Sequence, residues 1–455
     1  MKSNFIKKSN QNQYNMKTKI MLGISALVSC VPFIYLLGND SEPTKELLPK
    51  KEIAQRKIVE DDEKPCVFMS LMGEQSVDGA AVVKSSKKFE ETISKGELWL
   101  IQAQNPDGGW GAGSRNNQKE RNPHAVSSDP ATTAMSAMAL YRCGFSMEKG
   151  EHKETLKKSV LFLLNEIDKN QNSPYITQIR GTQIQGKLGE HIDAILTLQF
   201  FNQLLPTIKD ESMKTRVKDG IQVCVDKIEK SMGDSGKVGG SGWAGVLQSS
   251  FANSGLEMAS KNKDIKVDKA KIQQAREYQK SNYNPQSESA KTEDGAGIML
   301  YAVSSSVRNS AEEAKEADQL FKKAKAEGKI ERDAVLNEQN LERLGYSKEK
   351  AKSYDVANKV YQSAKVTAMK EDVLSGFGNN GGEEFLSFLQ TGESMIVNQD
   401  DDWKKWYDNI GGRMMQIQNA DGSWNGHHCI TSPAFCTATC LMILSVENEI
   451  NTLQK

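Results

Sequence analysis

Hydrophobic and polar residues alternate along this chain on the scale of whole segments. One kind of segment is small at its start and apolar on nearly every side: 129–140, 189–200, 242–256, 294–303, 381–390 and 432–444. A helix without a polar face is a buried helix. The other kind sets charge against a single apolar stripe: 156–169, 213–231, 267–280 and 403–415. Apolar residues returning at three- and four-residue spacing predict amphipathic surface helices there. The chain is therefore predicted to be all-α, with six buried helices alternating with amphipathic ones. An open stack of such pairs leaves two apolar ends to be capped. Closing the stack into a double ring, an α/α toroid of six inner and six outer helices, removes both ends.

The two ends of the chain carry one motif. Gln104-Asn105-Pro106-Asp107-Gly108-Gly109-Trp110 follows the first amphipathic helix, and Gln418-Asn419-Ala420-Asp421-Gly422-Ser423-Trp424 follows the last. Each leads through a loop into a buried helix opened by Asp129-Pro130 or Ser432-Pro433, an N-cap followed by proline at the first helical position. Internal repetition of this kind marks one supersecondary unit used several times. In the predicted unit, Gln104 and Gln418 bond the carbonyls left over at the end of the outer helix. Trp110 and Trp424 stack on that amide and fill the wedge between helices. Asp-Gly supplies a turn with positive φ. Matching units near both ends suit a seam where first and last meet.

Two regions depart from the alternation. Residues 305–374 are rich in Lys, Glu and Ala, and opposite charges at helical spacing predict solvated helices: an enlarged outer helix, an accessory hairpin or a partner-binding arm. At the other extreme, a basic flank (1–19) precedes an uncharged run (20–38) about long enough to cross a bilayer. This reads as an export signal or signal anchor, with residues 39–84 as a charged linker and 85–450 as the toroid. The excess of lysine before the run predicts a membrane-anchored protein whose body faces the periplasmic or other extracytoplasmic side. Within the run, Leu27-Val28-Ser29-Cys30 resembles a bacterial lipoprotein cleavage box, which would put a lipid on Cys30, although Val31 to Leu37 stays apolar.

Composition narrows the rest. Of 455 residues, 38% are apolar and 26% charged, too polar overall for a polytopic membrane protein and too apolar for a disordered one. Lys plus Arg and Asp plus Glu are both 59, so no basic excess points to nucleic acid. The seven cysteines are odd in number and scattered, which is no disulfide framework.

The Gln-x-x-Asp-Gly-x-Trp segments resemble the QW repeats of squalene and hopene cyclases. The helix alternation resembles the toroid those enzymes share with protein prenyltransferase β subunits. More closely, the chain is similar to bacterial prenyltransferase/squalene oxidase repeat proteins. The likeness rests on Asp107-Gly108-Gly109-Trp110-Gly111 with Asp129-Pro130, and on Gly426-His427-His428-Cys429-Ile430-Thr431-Ser432-Pro433 through Cys436, and it covers roughly residues 85–450. It implies an isoprenoid or other lipid as ligand.

In such a toroid the inner helices start at one end, so residues just before those starts gather at a cavity mouth. They are His124, Asp129, Glu190, His191, Asp193, Trp243, Glu293, Asp294, Glu383, Glu384, His427, His428 and Cys429. Cyclase chemistry needs a protonated carboxylic acid, for which Asp294 and Glu384 are candidates. The Asp-x-Asp-Asp motif that supplies it in hopene cyclases is absent, and Asp400-Asp401-Asp402 reads as a helix cap. His427, His428, Cys429 and Cys436 suit zinc, which toroids of the prenyltransferase and lanthionine cyclase kinds hold. The Asp-x-Cys and Cys-His-Gly elements of those families are missing, and the competing uses are a Cys429–Cys436 disulfide or reduced packing thiols in a purely structural loop. The expectation is a membrane-tethered toroid binding a ligand in its central cavity. The alternative is an enzyme acting on an isoprenoid or other lipid, as a cyclase or a zinc-dependent transferase.

Overall fold

A computed structural model describes residues 87–450 except 379, 380 and 399. The basic flank, the apolar run with Cys30 and the linker up to residue 84 lie outside the described residues. Among the described residues, no helix is long and apolar enough to cross a membrane.

The described chain is mostly helical. Its long helices, in order, are α1 (Glu90–Gln102), α2 (Pro130–Arg142), α3 (Lys153–Lys169), α4 (Ile192–Leu204), α5 (Glu211–Ser231), α6 (Gly245–Lys261), α7 (Lys269–Ser281), α8 (Met299–Ala326), α9 (Lys348–Ala368), α10 (Gly382–Asn398), α11 (Trp403–Gln416) and α12 (Pro433–Ile450). A two-residue hairpin pairs Tyr283 with Ala290 and Asn284 with Ser289.

Even-numbered helices are the buried ones. In α2 every residue except Tyr141 is buried, and in α10 every residue from Gly382 to Val397 is. Odd-numbered helices bury one stripe; in α3 it is Leu156, Val160, Leu163, Leu164 and Ile167. Small residues let the even helices approach closely: a methyl group on Gly255 of α6 would come within 3.0 Å of Leu198 in α4. Contacts among the even helices run α2 to α4, α4 to α6, α6 to α8, α8 to α10, α10 to α12, and from α12 back to α2. Each odd helix packs on the outside of an even one: α1 on α12, α3 on α2, α5 on α4, α7 on α6 and α8, α9 on α8, and α11 on α10 and α12.

The stretch 305–374 does not stand apart from this alternation. Buried helix α8 continues through it, with Val307, Ala311, Ala314, Ala317 and Phe321 inside, and α9 packs along α8 as its outer partner. Ala and Ser supply most of the buried positions, so the apolar stripe is faint in the sequence. Only the connection between α8 and α9 forms a separate small cluster, around Phe321, Ile330, Leu341, Ala351 and Tyr354.

The two Gln–Trp turns hold their neighbours in a way that differs from the expected one. The Trp110 indole donates to Leu100 O at 2.8 Å, and Trp424 donates to Met414 O at 2.7 Å. The tryptophans, not the glutamines, therefore take up carbonyls left over at the ends of α1 and α11. Gln104 Nε2 instead donates to Gly108 O and to Thr155 O in the first turn of α3, at 2.8 and 2.9 Å. Gln418 Nε2 donates to Gly422 O and Thr92 O, both at 2.9 Å. Each glutamine thus ties its own loop to the start of another outer helix, and for Gln418 that helix is α1. Trp99 Nε1 adds a bond to Asp421 across the same junction, at 3.1 Å.

Candidate functional site

The starts of the even helices lie together, and polar side chains join neighbour to neighbour. Asp129 caps α2, accepting from Thr132 N and Ala112 N, both at 2.8 Å. Asp193, in the first turn of α4, reaches back to accept from Ala131 N of α2 at 3.1 Å and from Gln185 Nε2 at 2.7 Å. Gln248 of α6 accepts from His191 N at 3.0 Å, before α4. Tyr301 of α8 donates to Glu384 of α10 at 2.7 Å. Glu383 accepts from Ile430 N at 3.4 Å, and Gln183 Oε1 accepts from Thr431 N and Ser432 N, at 2.8 and 3.1 Å, just before α12. The strand of loop before α12 also meets the loop between α1 and α2, where Gln118 accepts from Cys429 N at 3.1 Å.

Within this end lie two acidic pairs. Burial raises Asp129 to about 6 and Asp193 to about 7; the charge of Asp129 adds to the second shift. These two are structural caps, enclosed and fully engaged. The second pair differs. Glu383 and Glu384 are buried side by side in the first turn of α10, and burial, then the charge of Glu384, raises Glu383 to about 8. Glu384 accepts from the Tyr301 hydroxyl and from Phe377 N. The Lys187 ammonium acts electrostatically on both Glu383 and Cys429, and it stands 4.6 Å from the Trp243 ring centroid. Phe377, whose N–H meets Glu384, is 55% exposed, and Trp243, against Lys187, is 68% exposed, two of the most solvent-facing large apolar side chains described. Phe377 packs edge-on against His428 at 4.7 Å.

The other expected residues fall elsewhere. His124 is exposed and bonds Asn105 at 3.2 Å. His191 is buried against Tyr175, 5.0 Å between ring centroids, and burial lowers its pKa. Asp294 pairs with Lys237 and accepts from Tyr278 OH at 2.7 Å. Burial pushes its carboxyl up, but these two bonds outweigh burial and hold it below the usual range, so it is an ionised group rather than a proton donor. Asp400 and Asp402 bind Lys365 at 2.7 and 2.9 Å, and Asp402 makes no side-chain cap bond, so this acidic run serves ion pairing and not helix capping.

The zinc candidates do not converge. His427 is exposed, His428 Nδ1 lies 3.0 Å from Cys429 Sγ, and Cys436 is fully buried with its thiol toward Ile430 O. Among the described residues, no group of three or more His, Cys, Asp or Glu side chains is arranged to hold a metal ion. Cys429 and Cys436 are both free thiols, so the disulfide is not formed either. Burial, with the charge of Glu383, keeps the Cys429 thiol above its ordinary pKa. Cys429 takes a positive φ of 67°, unusual for a residue with a side chain.

Lys187, Gln183 and Gln118 escaped the sequence reading. Gln118 lies in a loop, and Gln183 and Lys187 bound a short helix ahead of a buried run; only spatial proximity gives them a role. Compared with known proteins, the chain matches no family model and no curated protein sequence.

Proposed function

We propose that this chain is an α/α toroid similar to the squalene-cyclase and prenyltransferase repeat proteins, tethered to a membrane by its N-terminal segment and binding an apolar ligand through the end where its inner helices start. The cyclic order of contacts among the even helices and the Gln418 tie to α1 support the ring. One observation carries the binding reading: two exposed aromatic rings adjoin the region of the Glu383–Glu384 pair, Phe377 through its N–H to Glu384 and Trp243 through Lys187. Exposed aromatic rings flanking a few buried polar groups suit an isoprenoid or other lipid with a polar end. The test is mass spectrometry of lipids extracted from the full-length protein purified in detergent. A copurifying apolar compound that is lost in the Trp243→Ala/Phe377→Ala double variant is expected. Wild-type protein free of any such compound overturns the reading.

The enzymatic alternative is favoured by one feature. A carboxylic acid still largely protonated at neutral pH is what alkene protonation requires. Glu383, raised to about 8, fits that part better than Asp294, whose carboxyl is held below the usual range. With squalene as probe, product formation that survives Asp294→Asn and vanishes in Glu383→Gln is the expected result. Absence of any product with wild-type protein removes this alternative.

A further inference from the structure

Deeper along the even helices, buried charge lies just beyond the segments expected to be buried. Arg142, the last residue of α2, donates from Nη2 to Glu393 of α10 at 2.8 Å, and both side chains are buried. α2 and α10 are not neighbours in the cycle of contacts, so this pair reaches through the interior between the helices. Nε and Nη1 of Arg142 have no hydrogen-bond partner among the described residues. Arg308 of α8 is 2% exposed, enters no ion pair among the described residues, and its buried Nη1 is also unpartnered; it lies two turns beyond Tyr301, which meets Glu384, and so stands on the α10-facing side of α8. Next to it in sequence, Asn309 donates to Ser250 of α6 at 2.7 Å. Ser250 in turn donates to Gln390 of α10, one turn from Glu393, and Gln390 Nε2 is a further buried donor without a partner.

Guanidinium does not lose its proton in proteins, so Arg142 and Arg308 carry two positive charges into this interior. Glu393 supplies one negative charge. The next buried carboxylate, Glu257, is already engaged by Arg276 at 2.5 Å. One positive charge is left over, and the unpartnered groups around it are mostly donors. Buried charge is tolerated only when paired and hydrogen-bonded. We propose that the interior binds one small oxyanion of the carboxylate or phosphate class, held by Arg308 and by the outward edge of Arg142, with the Gln390 amide as a third donor. Planar guanidinium forks match the paired oxygens of both classes. This proposal stands on residues other than those of the exposed aromatic end, and either can fail without the other.

The test is thermal unfolding of the full chain in detergent at constant ionic strength. Sodium gluconate, a bulkier anion than either probe, is replaced stepwise by inorganic phosphate or by acetate. A saturable rise in Tm of about 3–5 °C at 100 times the dissociation constant is expected for at least one probe. Phosphate alone acting assigns a tetrahedral anion, and acetate alone assigns a carboxylate. Arg308→Met should abolish the rise, and Arg308→Lys, which keeps the charge but not the fork, should weaken binding at least tenfold. No saturable rise with either probe in the wild type overturns the proposal, whatever the variants do. So does a full rise retained in Arg308→Met.

Discussion

The first and last Gln–Trp turns share their backbone bonds, although they lie at opposite ends of the described chain. Asn105 N donates to Gly109 O and Asn419 N to Ser423 O, both at 2.9 Å; Gly108 and Gly422 have φ of 90° and 93°. Trp110 N and Trp424 N each donate to a threonine of the following helix, Thr133 or Thr437. The turn after α5 keeps this backbone while losing the motif. Gly233 N donates to Lys237 O, Gly236 N to Gly233 O, and Val238 N to Ser249 Oγ, with Gly236 at φ 81°. Here Met232 stands where the ends have Gln, and Val238 where they have Trp. The comparison teaches that the turn belongs to the backbone and its glycine. In all three turns that glycine lies against the next outer helix: its methyl would meet Lys158, Gln274 or Lys95. The Gln and Trp add grip, and the sequence keeps them where the first and last repeats meet.

The comparison can be broken in several ways. Trp110→Ala and Trp424→Ala each remove a fully buried indole and should each cost about 3–5 kcal/mol in denaturant unfolding. A cost below 1 kcal/mol for Trp424 would show that the junction between last and first repeats contributes nothing to stability. Val238→Trp should not rescue a missing ring but overpack a filled site, costing about 1–3 kcal/mol. Stabilisation by Val238→Trp would mean that the middle turn is an unfilled copy of the ends.

The acidic pairs give a pH test. Asp129, Asp193 and Glu383 all have folded pKa values above their unfolded ones, at about 6, 7 and 8. At these three carboxyls the folded chain therefore holds more protons than the unfolded chain from about pH 4 upward, and their contribution to stability declines as pH rises, while His191, with its folded pKa lowered, works the other way up to about pH 6.5. The slope is at most about 1.4 kcal/mol per pH unit for each group. Melting temperature should fall between pH 5.5 and 8.5, and Glu383→Gln should flatten the upper part of that fall. A melting temperature that rises over this range would contradict the burial of these groups.

Gln104→Ala and Gln418→Ala are the mildest changes, about 1 kcal/mol each. Their effects should be local and different. Amide exchange should quicken at the start of α3 for Gln104→Ala and at the start of α1 for Gln418→Ala. Equal quickening of α3 in both variants would deny the tie between last and first repeats.

The helical body was legible because its signals are periodic. The end repeats, the proline-led helix starts and the contrast between apolar and amphipathic runs all register in single residues. The limits of those runs were less legible. The buried segments end in the sequence reading at Leu140, Val303 and Gln390, where charge or polarity sets in. The helices go on, and Arg142, Arg308 and Glu393 are the residues just beyond. A buried polar side chain looks, along the chain, like the end of a buried helix. The site was legible only as a set of positions ahead of helix starts. Which of them meet depends on loops: His124 and His427 turn outward, whereas Lys187 and Phe377, which carried no motif, turn toward the Glu383–Glu384 pair.

The bond from Gln418 to Thr92 joins residues 326 positions apart. A chain made from its amino terminus onward must finish nearly all of its synthesis before α1 acquires that partner. α1, the first of the described long helices, is therefore among the last to be locked, and removing either α1 or the Gln418 turn should loosen the same place. By the same logic a circular permutant that joins the old ends and opens at the connection between α8 and α9 should still assemble.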